Sequence, residues 1–373
     1  MGSDVVIIGA GVIGLSSALR CADAGLSVTL VDPAPGRGAS WAAAGMLAPV
    51  AELHYGEDAL LRLNLSSSER WPDWAASLAD RGADVGYVPC GSLMVARDAD
   101  DTAELRRLMD TQARLGLQVE WLRGREARQA KPPLAPSTHR AVRVAGDHQV
   151  DNRALVRGLQ ALAVDSPLIT VRVGTVTAVT TAGDRATGVT LDDCGDLVAD
   201  TVVLCAGAGS SAVEGLVGLL PAVRPVKGQL LHLRSPSGPL ARANLRGLEV
   251  YIVNRPDGRI VVGATVEERG FDTQVTAGGV SELLRKAWEL LPGIDECAFV
   301  EATAGLRPAT PDNAPVIGRV AGLSGVVLAT GHYRNGVLLS PLTADAVAAL
   351  ATGSPVPDEV APFGPVRFDP APV

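Results

Sequence analysis

Lysine is almost missing from this sequence. Only Lys131, Lys227 and Lys286 occur among 33 basic side chains, and the rest are arginine. The formal charge is −8, and no segment gathers basic residues on one face. A nucleic-acid footprint needs such a cluster, so that class is excluded. Aromatic residues make up 3% of the chain, so the core must be built from aliphatic side chains. Cysteine is sparse. Cys21, Cys90, Cys194, Cys205 and Cys297 are odd in number and lack CxxC or metal-ligand spacing, which excludes a disulfide framework and a zinc site. No apolar run approaches the roughly 18 uncharged residues that a membrane span requires. The early stretch VVIIGAGVIGL has no basic region before it: Asp4 precedes it and the first cation is Arg20. It is therefore not read as a signal peptide, and a soluble, cytoplasmic chain is expected. What remains is ordinary globular material, 47% hydrophobic and 20% charged over 373 residues, enough for one large or two interleaved units.

The opening carries the first chemistry. Asp4–Ile8 reads as a buried strand of mainly β-branched residues, and Gly9-Ala10-Gly11-Val12-Ile13-Gly14 follows at once. Leu15–Ala24 has helical spacing, Gly25 ends it, and Ser27–Val31 is a second buried strand with Asp32 at its end. Each position has a task in holding a dinucleotide. Gly9 permits a tight turn, Gly11 lets a pyrophosphate approach the backbone, and Gly14 allows close helix–strand packing. The helix N-terminus offers free N–H groups to phosphate. Asp32 can accept from ribose hydroxyls, and an acid rather than an arginine there disfavours a 2′-phosphate.

Alternating βα units do not follow. Instead comes Gly38-Ala39-Ser40-Trp41-Ala42-Ala43-Ala44-Gly45-Met46-Leu47-Ala48-Pro49, too rich in small residues to be an ordinary packed strand. Such a run suggests backbone lying against a flat ligand. With it, GASWAAAGMLAPVAE resembles the signature segment of the glycine-oxidase branch of the D-amino-acid oxidase family of flavoproteins. GLRPATPDN (305–313) and GHYRNG (331–336) are similar to two further blocks of that family, and the likeness runs through residues 4–350.

The resemblance implies an α/β (α+β overall), D-amino-acid oxidase-like fold, with a Rossmann-type FAD-binding domain interleaved with a mainly antiparallel substrate domain. The segments expected in the FAD-binding domain are 1–85, 140–215 and 300–353. Residues 86–139 and 216–299 are expected in the substrate domain, and 354–373 form a Pro-rich, frayed tail. The local pattern fits such interleaving. Leu60–Ala79, Thr102–Leu115, Asp151–Ala163 and Ser281–Leu291 read as helices, and Leu197–Cys205 and Val326–Thr330 as short buried strands. Ile169–Val179 with Ala186–Asp192 reads as a hairpin. Val223–Leu233, Leu248–Val253 and Arg259–Thr265 alternate like antiparallel strands, and Thr343–Ala351 is the final helix.

The same likeness implies roles residue by residue. Noncovalent FAD would touch Gly9, Gly11, Val12, Ile13, Gly14, Asp32 and Pro33. It would then meet Ala39, Ser40, Ala44, Gly45 and Met46, followed by Val176 and Gly207. From the last block it would meet Gly331, His332, Tyr333, Arg334, Asn335, Gly336, Val337 and Leu338. Arg307 would hold the substrate carboxylate, with Arg334 a second substrate-side contact, Tyr251 over the ligand and Ala48 lining the pocket. No side chain is assigned as acid or base: the amine substrate's α-carbon would give hydride to flavin N5. Glycine, or a small amine such as sarcosine or D-alanine, would yield an imine, then glyoxylate and ammonia, with O2 reduced to hydrogen peroxide. A thiazole synthase as imine acceptor in thiamine biosynthesis and a homo-oligomeric state are further implications. Other readings stay open: an amine oxidase or dehydrogenase of the same fold acting on sarcosine, proline or a larger D-amino acid, or a non-catalytic FAD-binding accessory protein. No Cys follows Cys297 and the stretch of sequence around Val266 offers no Lys, which sets the chain apart from covalent-flavin sarcosine oxidases.

Overall fold

The computed structural model describes residues 2–129, 134–193, 195–216 and 218–368. Two eight-stranded sheets carry the chain. In the first, the path runs Val316–Arg319, Val326–Thr330, Asp196–Leu204, Ser3–Ile8, Val28–Asp32, Ile169–Val173. All neighbours on that path are parallel except the first pair. Parallel strands covered on both faces must be apolar throughout, and Val5 to Ile8 and Val202 to Leu204 are buried without alternation. Helices Val12–Asp23 and Gly336–Thr352 pack on each other over this sheet.

The second sheet is almost wholly antiparallel. Its order is Ala298–Ala309, Arg224–Arg234, Arg259–Gly263, Tyr251–Asn254, Asn244–Arg246, Ser92–Ala96, Arg140–Val144, Glu120–Arg123. Only the pair Asn244–Arg246 with Ser92–Ala96 is parallel. Register sets the cleft-facing row: Arg246 stands opposite Tyr251, and Tyr251 opposite Gly263.

Several expected boundaries are corrected. Arg140–Val144 and Ala298–Ala309 belong to the second sheet, although 140–215 and 300–353 were expected on the nucleotide side. Ala298–Ala309 pairs along its whole length with Arg224–Arg234, and that continuous ladder outweighs its nearness in sequence to the last parallel strand. Ile169–Val173 does not join a hairpin; it pairs with Val28–Asp32, and the hairpin is Val176–Ala182 with Arg185–Leu191. The last helix starts at Gly336, seven residues early, running through Pro341. Proline lacks the amide that would bond the Val337 carbonyl, and the Ser340 hydroxyl donates to that carbonyl instead, at 2.9 Å. The tail is not frayed as far as Phe368. Val360 and Phe363 are buried beside Leu60, Leu63 and Ile317, and Arg367 pairs with Asp312 at 2.8 Å. Residues 369–373 lie outside the described residues. Among the described residues no helix is long and apolar enough to cross a membrane.

Candidate active site

A cleft of about 1010 Å³ opens at the carboxyl ends of four parallel strands. Gly9, Asp32, Cys205 and Gly331 each follow or end one of them, and the second sheet forms the opposite wall. Open α/β sheets bind ligands at this edge, outside the strand carboxyl ends.

On the nucleotide side, Gly11 is the N-cap of helix Val12–Asp23 and the Val12 amide donates to the Ser40 hydroxyl at 2.9 Å. That bond folds the small-residue segment over the helix N-terminus. Asp32 accepts from the amides of Ala10 and Ala34, both at 2.7 Å, which fixes its carboxylate at the rim. Gly14 is a contact glycine. A Cβ built on it would lie 1.8 Å from the Gly9 carbonyl oxygen, so its task is helix–strand approach and it is not on the cleft wall. Pro33 is exposed beside the rim, away from that wall. Val176 is likewise not among the residues of that wall. It packs in an apolar cluster with Val6, Ile8 and Val31 beneath the sheet edge. The other expected cofactor residues, from Gly9 through Met46, with Gly207 and 331–338, line the cleft.

Gly331–Asn335 turns into the helix Gly336–Thr352, whose N-terminus therefore points at the cleft. A helix start there favours negative charge. Helix Asp58–Asp80 anchors that first turn, since the Trp71 indole and the Ser67 hydroxyl both donate to the Leu338 carbonyl, at 2.9 and 2.7 Å. His332 contributes backbone only: its ring is buried against the Thr343 hydroxyl at 3.0 Å, and burial pushes it down to about 3. It stays neutral and is no base at physiological pH.

On the second sheet, Arg307 lies across Gly228. A Cβ on Gly228 would sit 2.4 Å from both terminal guanidinium nitrogens, so only glycine leaves that bed free. One nitrogen, Nη1, donates to the carbonyls of Thr265 at 3.1 Å and Lys227 at 3.5 Å. Among the described residues no carboxylate pairs with Arg307. Tyr251 stands near it. Burial pushes its phenol up, and the Arg307 charge partly offsets this. Ala48 is buried on the same wall. An unpaired guanidinium fork beside a phenol can hold a carboxylate in one orientation.

Arg334 reaches the cleft but is not free. Its guanidinium pairs with Glu57 and donates to the Glu52 carbonyl at 3.3 Å, while its Nε lies 3.7 Å from the Glu52 carboxylate. Glu52 also pairs with Arg246, the cross-strand neighbour of Tyr251. Sequence reading missed Glu52, Arg246, Gly228 and Thr265. The APVAE end of the small-residue segment contained Glu52, and its charge after an apolar run was the available signal.

The turn that carries Glu52 is held from below. Buried Asp147 accepts the amides of Val50 and Ala51, both at 3.2 Å, and Gln112 donates to the Val50 carbonyl at 3.0 Å. Burial pushes the Asp147 carboxyl up to about 7 against the pull of those bonds. Its folded value lies above the free one, so between about pH 4 and 7 the folded chain keeps a proton that the unfolded chain has lost. Stability is therefore lost as pH rises through that window. Asp147→Asn should flatten the window, removing on the order of 3 °C of the fall in Tm between pH 5 and 7.5. Parallel Tm–pH curves for the two proteins would exclude this coupling.

The chain matches the family model described as FAD dependent oxidoreductase over residues 4–350. It belongs to that family. As an FAD dependent oxidoreductase it has full-length relatives. It is 34% identical to the glycine oxidase of Geobacillus kaustophilus, covering 98% of this chain and 97% of the relative. The crystal structure of glycine oxidase from Geobacillus kaustophilus superposes with a TM-score of 0.91, at 34% identity and 99% coverage of both chains. It is also 37% identical to the bifunctional protein ThiO/ThiG of Synechocystis; there it spans 98% of itself but only 54% of the relative.

The cleft of this FAD dependent oxidoreductase fits its family's cofactor. A Cβ on Gly11 would meet only Ser40 within 4 Å, so the backbone there is open to a pyrophosphate. At the other end the Asn335 amide nitrogen is buried on the cleft wall with no partner among the described residues, a donor awaiting an acceptor. Helix N-termini at Val12 and Gly336 supply positive ends at both places.

Proposed function

We propose that this chain oxidises glycine, and small amines of the same shape, to the imine, which hydrolyses to glyoxylate and ammonia. The observation that carries the reading is Arg307: an unpaired guanidinium on a glycine bed, beside Tyr251, in a cleft fitted to FAD. The full-length glycine oxidase relatives support the same substrate.

FAD, when bound, would supply the two-electron oxidation of the substrate's α C–H bond, with O2 as the final acceptor and hydrogen peroxide as its product. The chain's own residues supply position and field. Arg307 takes the carboxylate bidentately and Tyr251 donates its phenol proton to the same group, so the α-carbon has one orientation. The helix start at Gly336 and the Asn335 amide face the end of the cleft where negative charge develops. Gly9, Gly11 and the amides at the start of helix Val12–Asp23 would hold the pyrophosphate, and Asp32 would accept from the ribose. Glu52 and Glu57 neutralise Arg334 and Arg246, which leaves Arg307 as the unpaired anion receptor. No acid or base side chain stands in this scheme; the amine reacts in its neutral form. Passage of the imine to a thiazole synthase belongs to the same reading, supported by the fused Synechocystis relative.

Anaerobic mixing of the purified flavoprotein with glycine, sarcosine, D-alanine and D-proline tests the reaction. Glycine is expected to bleach the flavin within seconds, and air to restore the colour with one peroxide per turnover. Bleaching by D-proline alone would move the substrate, and bleaching by none of the four would remove the reading.

A further inference from the structure

Lys227 is the one lysine with no solvent exposure among those described, and a buried ammonium is costly unless paired. Its Nζ lies 2.8 Å from Asp272 and 3.8 Å from Glu267. Both acids sit on the segment 264–276, which leaves strand Arg259–Gly263 and runs along the cleft mouth. Glu267 is bound to Lys227 a second way, by two reciprocal backbone hydrogen bonds of 2.9 Å.

The Glu267 carboxylate lines the cleft but is turned into the protein. Its Oε1 accepts the Thr265 hydroxyl at 2.6 Å and the Gln229 amide at 2.7 Å. The Thr265 hydroxyl in turn accepts the Gln229 backbone amide at 2.9 Å, and the Thr265 amide donates to the Gln229 carbonyl at 3.3 Å. Thr265 is thus held at its amide and its side chain. What it has left is its carbonyl, which accepts from Arg307. Lys227 supplies the second carbonyl under the same guanidinium.

We propose that Glu267 is a positioning residue for carboxylate recognition: through Thr265 and Lys227 it fixes the two carbonyls that aim Arg307. The inference rests on Arg307 being the carboxylate receptor. A planar fork needs a set plane as well as a set place, and Gly228 gives the place alone.

Steady-state kinetics and inhibition by acetate, the substrate carboxylate without its amine, test it. Glu267→Ala is expected to raise the glycine KM and the acetate inhibition constant together, each about fivefold, the loss of roughly one net hydrogen bond. kcat should stay within twofold and the flavin spectrum should not change. Glu267→Gln keeps an oxygen that accepts both bonds and should restore KM to within twofold. Thr265→Val, which removes only the hydroxyl link, should move KM and the inhibition constant the same way; it carries the test if Glu267→Ala does not fold. An unchanged KM in folded Thr265→Val, or a fall in kcat with KM fixed, would overturn the proposal. Arg307→Ala measured alongside separates the two ideas. A large KM rise there with none in the Glu267 and Thr265 variants overturns the positioning role alone. No rise in Arg307→Ala overturns the receptor assignment and this inference with it.

Discussion

Arg307→Ala is expected to raise the KM for glycine at least tenfold while the protein remains fully yellow. Tenfold corresponds to about 1.4 kcal/mol, the low end of what a charge-assisted bond contributes. The flavin should be spared because Arg307 stands on strand Ala298–Ala309 of the second sheet, whereas the dinucleotide turn, Asp32 and the Gly336 helix start belong to the first. Folding should be spared as well. The side chain faces the cleft, and the two carbonyls it leaves, Thr265 and Lys227, gain access to water there. Arg307→Lys should fall between, since a point charge keeps the attraction and loses the bidentate geometry. The checking measurement is KM with the ratio of flavin to protein absorbance on the same preparation; an unchanged KM would sink the assignment.

The second large effect concerns Gly14, which lies off the cleft wall. Gly14→Ala should give a chain that is colourless or that precipitates on expression. The added carbon would meet the Gly9 carbonyl oxygen at 1.8 Å and Cys205 at 3.4 Å, and backbone cannot swing aside as a long side chain can. Relief requires helix Val12–Asp23 to lift from strand Ser3–Ile8, which moves both the phosphate-binding amides and Gly9. Overpacking of this kind costs on the order of 1–3 kcal/mol before the cofactor's binding energy is counted. Flavin content after purification and Tm with added FAD report the outcome. A normally yellow Gly14→Ala would mean that the helix has slack the geometry denies.

The two predictions mark what was legible in the residues and what was not. The dinucleotide turn was, because strand, glycines, helix and Asp32 are contiguous and each position answers to local geometry. Arg307 and Tyr251 were legible only through likeness to a family, since an arginine before a proline carries no local mark of its function. Glu52, Arg246 and Gly228 escaped because their meaning is a meeting. Arg246 reaches the cleft through a hairpin register with Tyr251, and Glu52 joins it from a turn 194 residues earlier. Asp147 could not have been read at all: nothing in GDHQV announces an acid buried under the turn at Val50. Ala298–Ala309 was assigned to the wrong sheet because a twelve-residue strand looks the same whichever edge it completes. The tail misled for the opposite reason, its prolines suggesting disorder while Val360 and Phe363 supply enough apolar surface to dock it.

The order of the strands in the first sheet bears on how the chain is made. Ser3–Ile8 is made before the other strands described, yet its partner on one side is Asp196–Leu204, and the next strand outward is Val326–Thr330. At the usual 5–20 residues per second, Asp196–Leu204 follows the glycine turn by on the order of ten to forty seconds, long after the other partner, Val28–Asp32. The strand that feeds the Gly336 helix comes later still. Through that interval the half-sheet of Ser3–Ile8, Val28–Asp32 and Ile169–Val173 keeps one edge of Ser3–Ile8 without its strand partner. Both walls of the nucleotide side exist together only once Gly336–Thr352 has been made, so the order of synthesis sets the earliest point at which the cleft is whole.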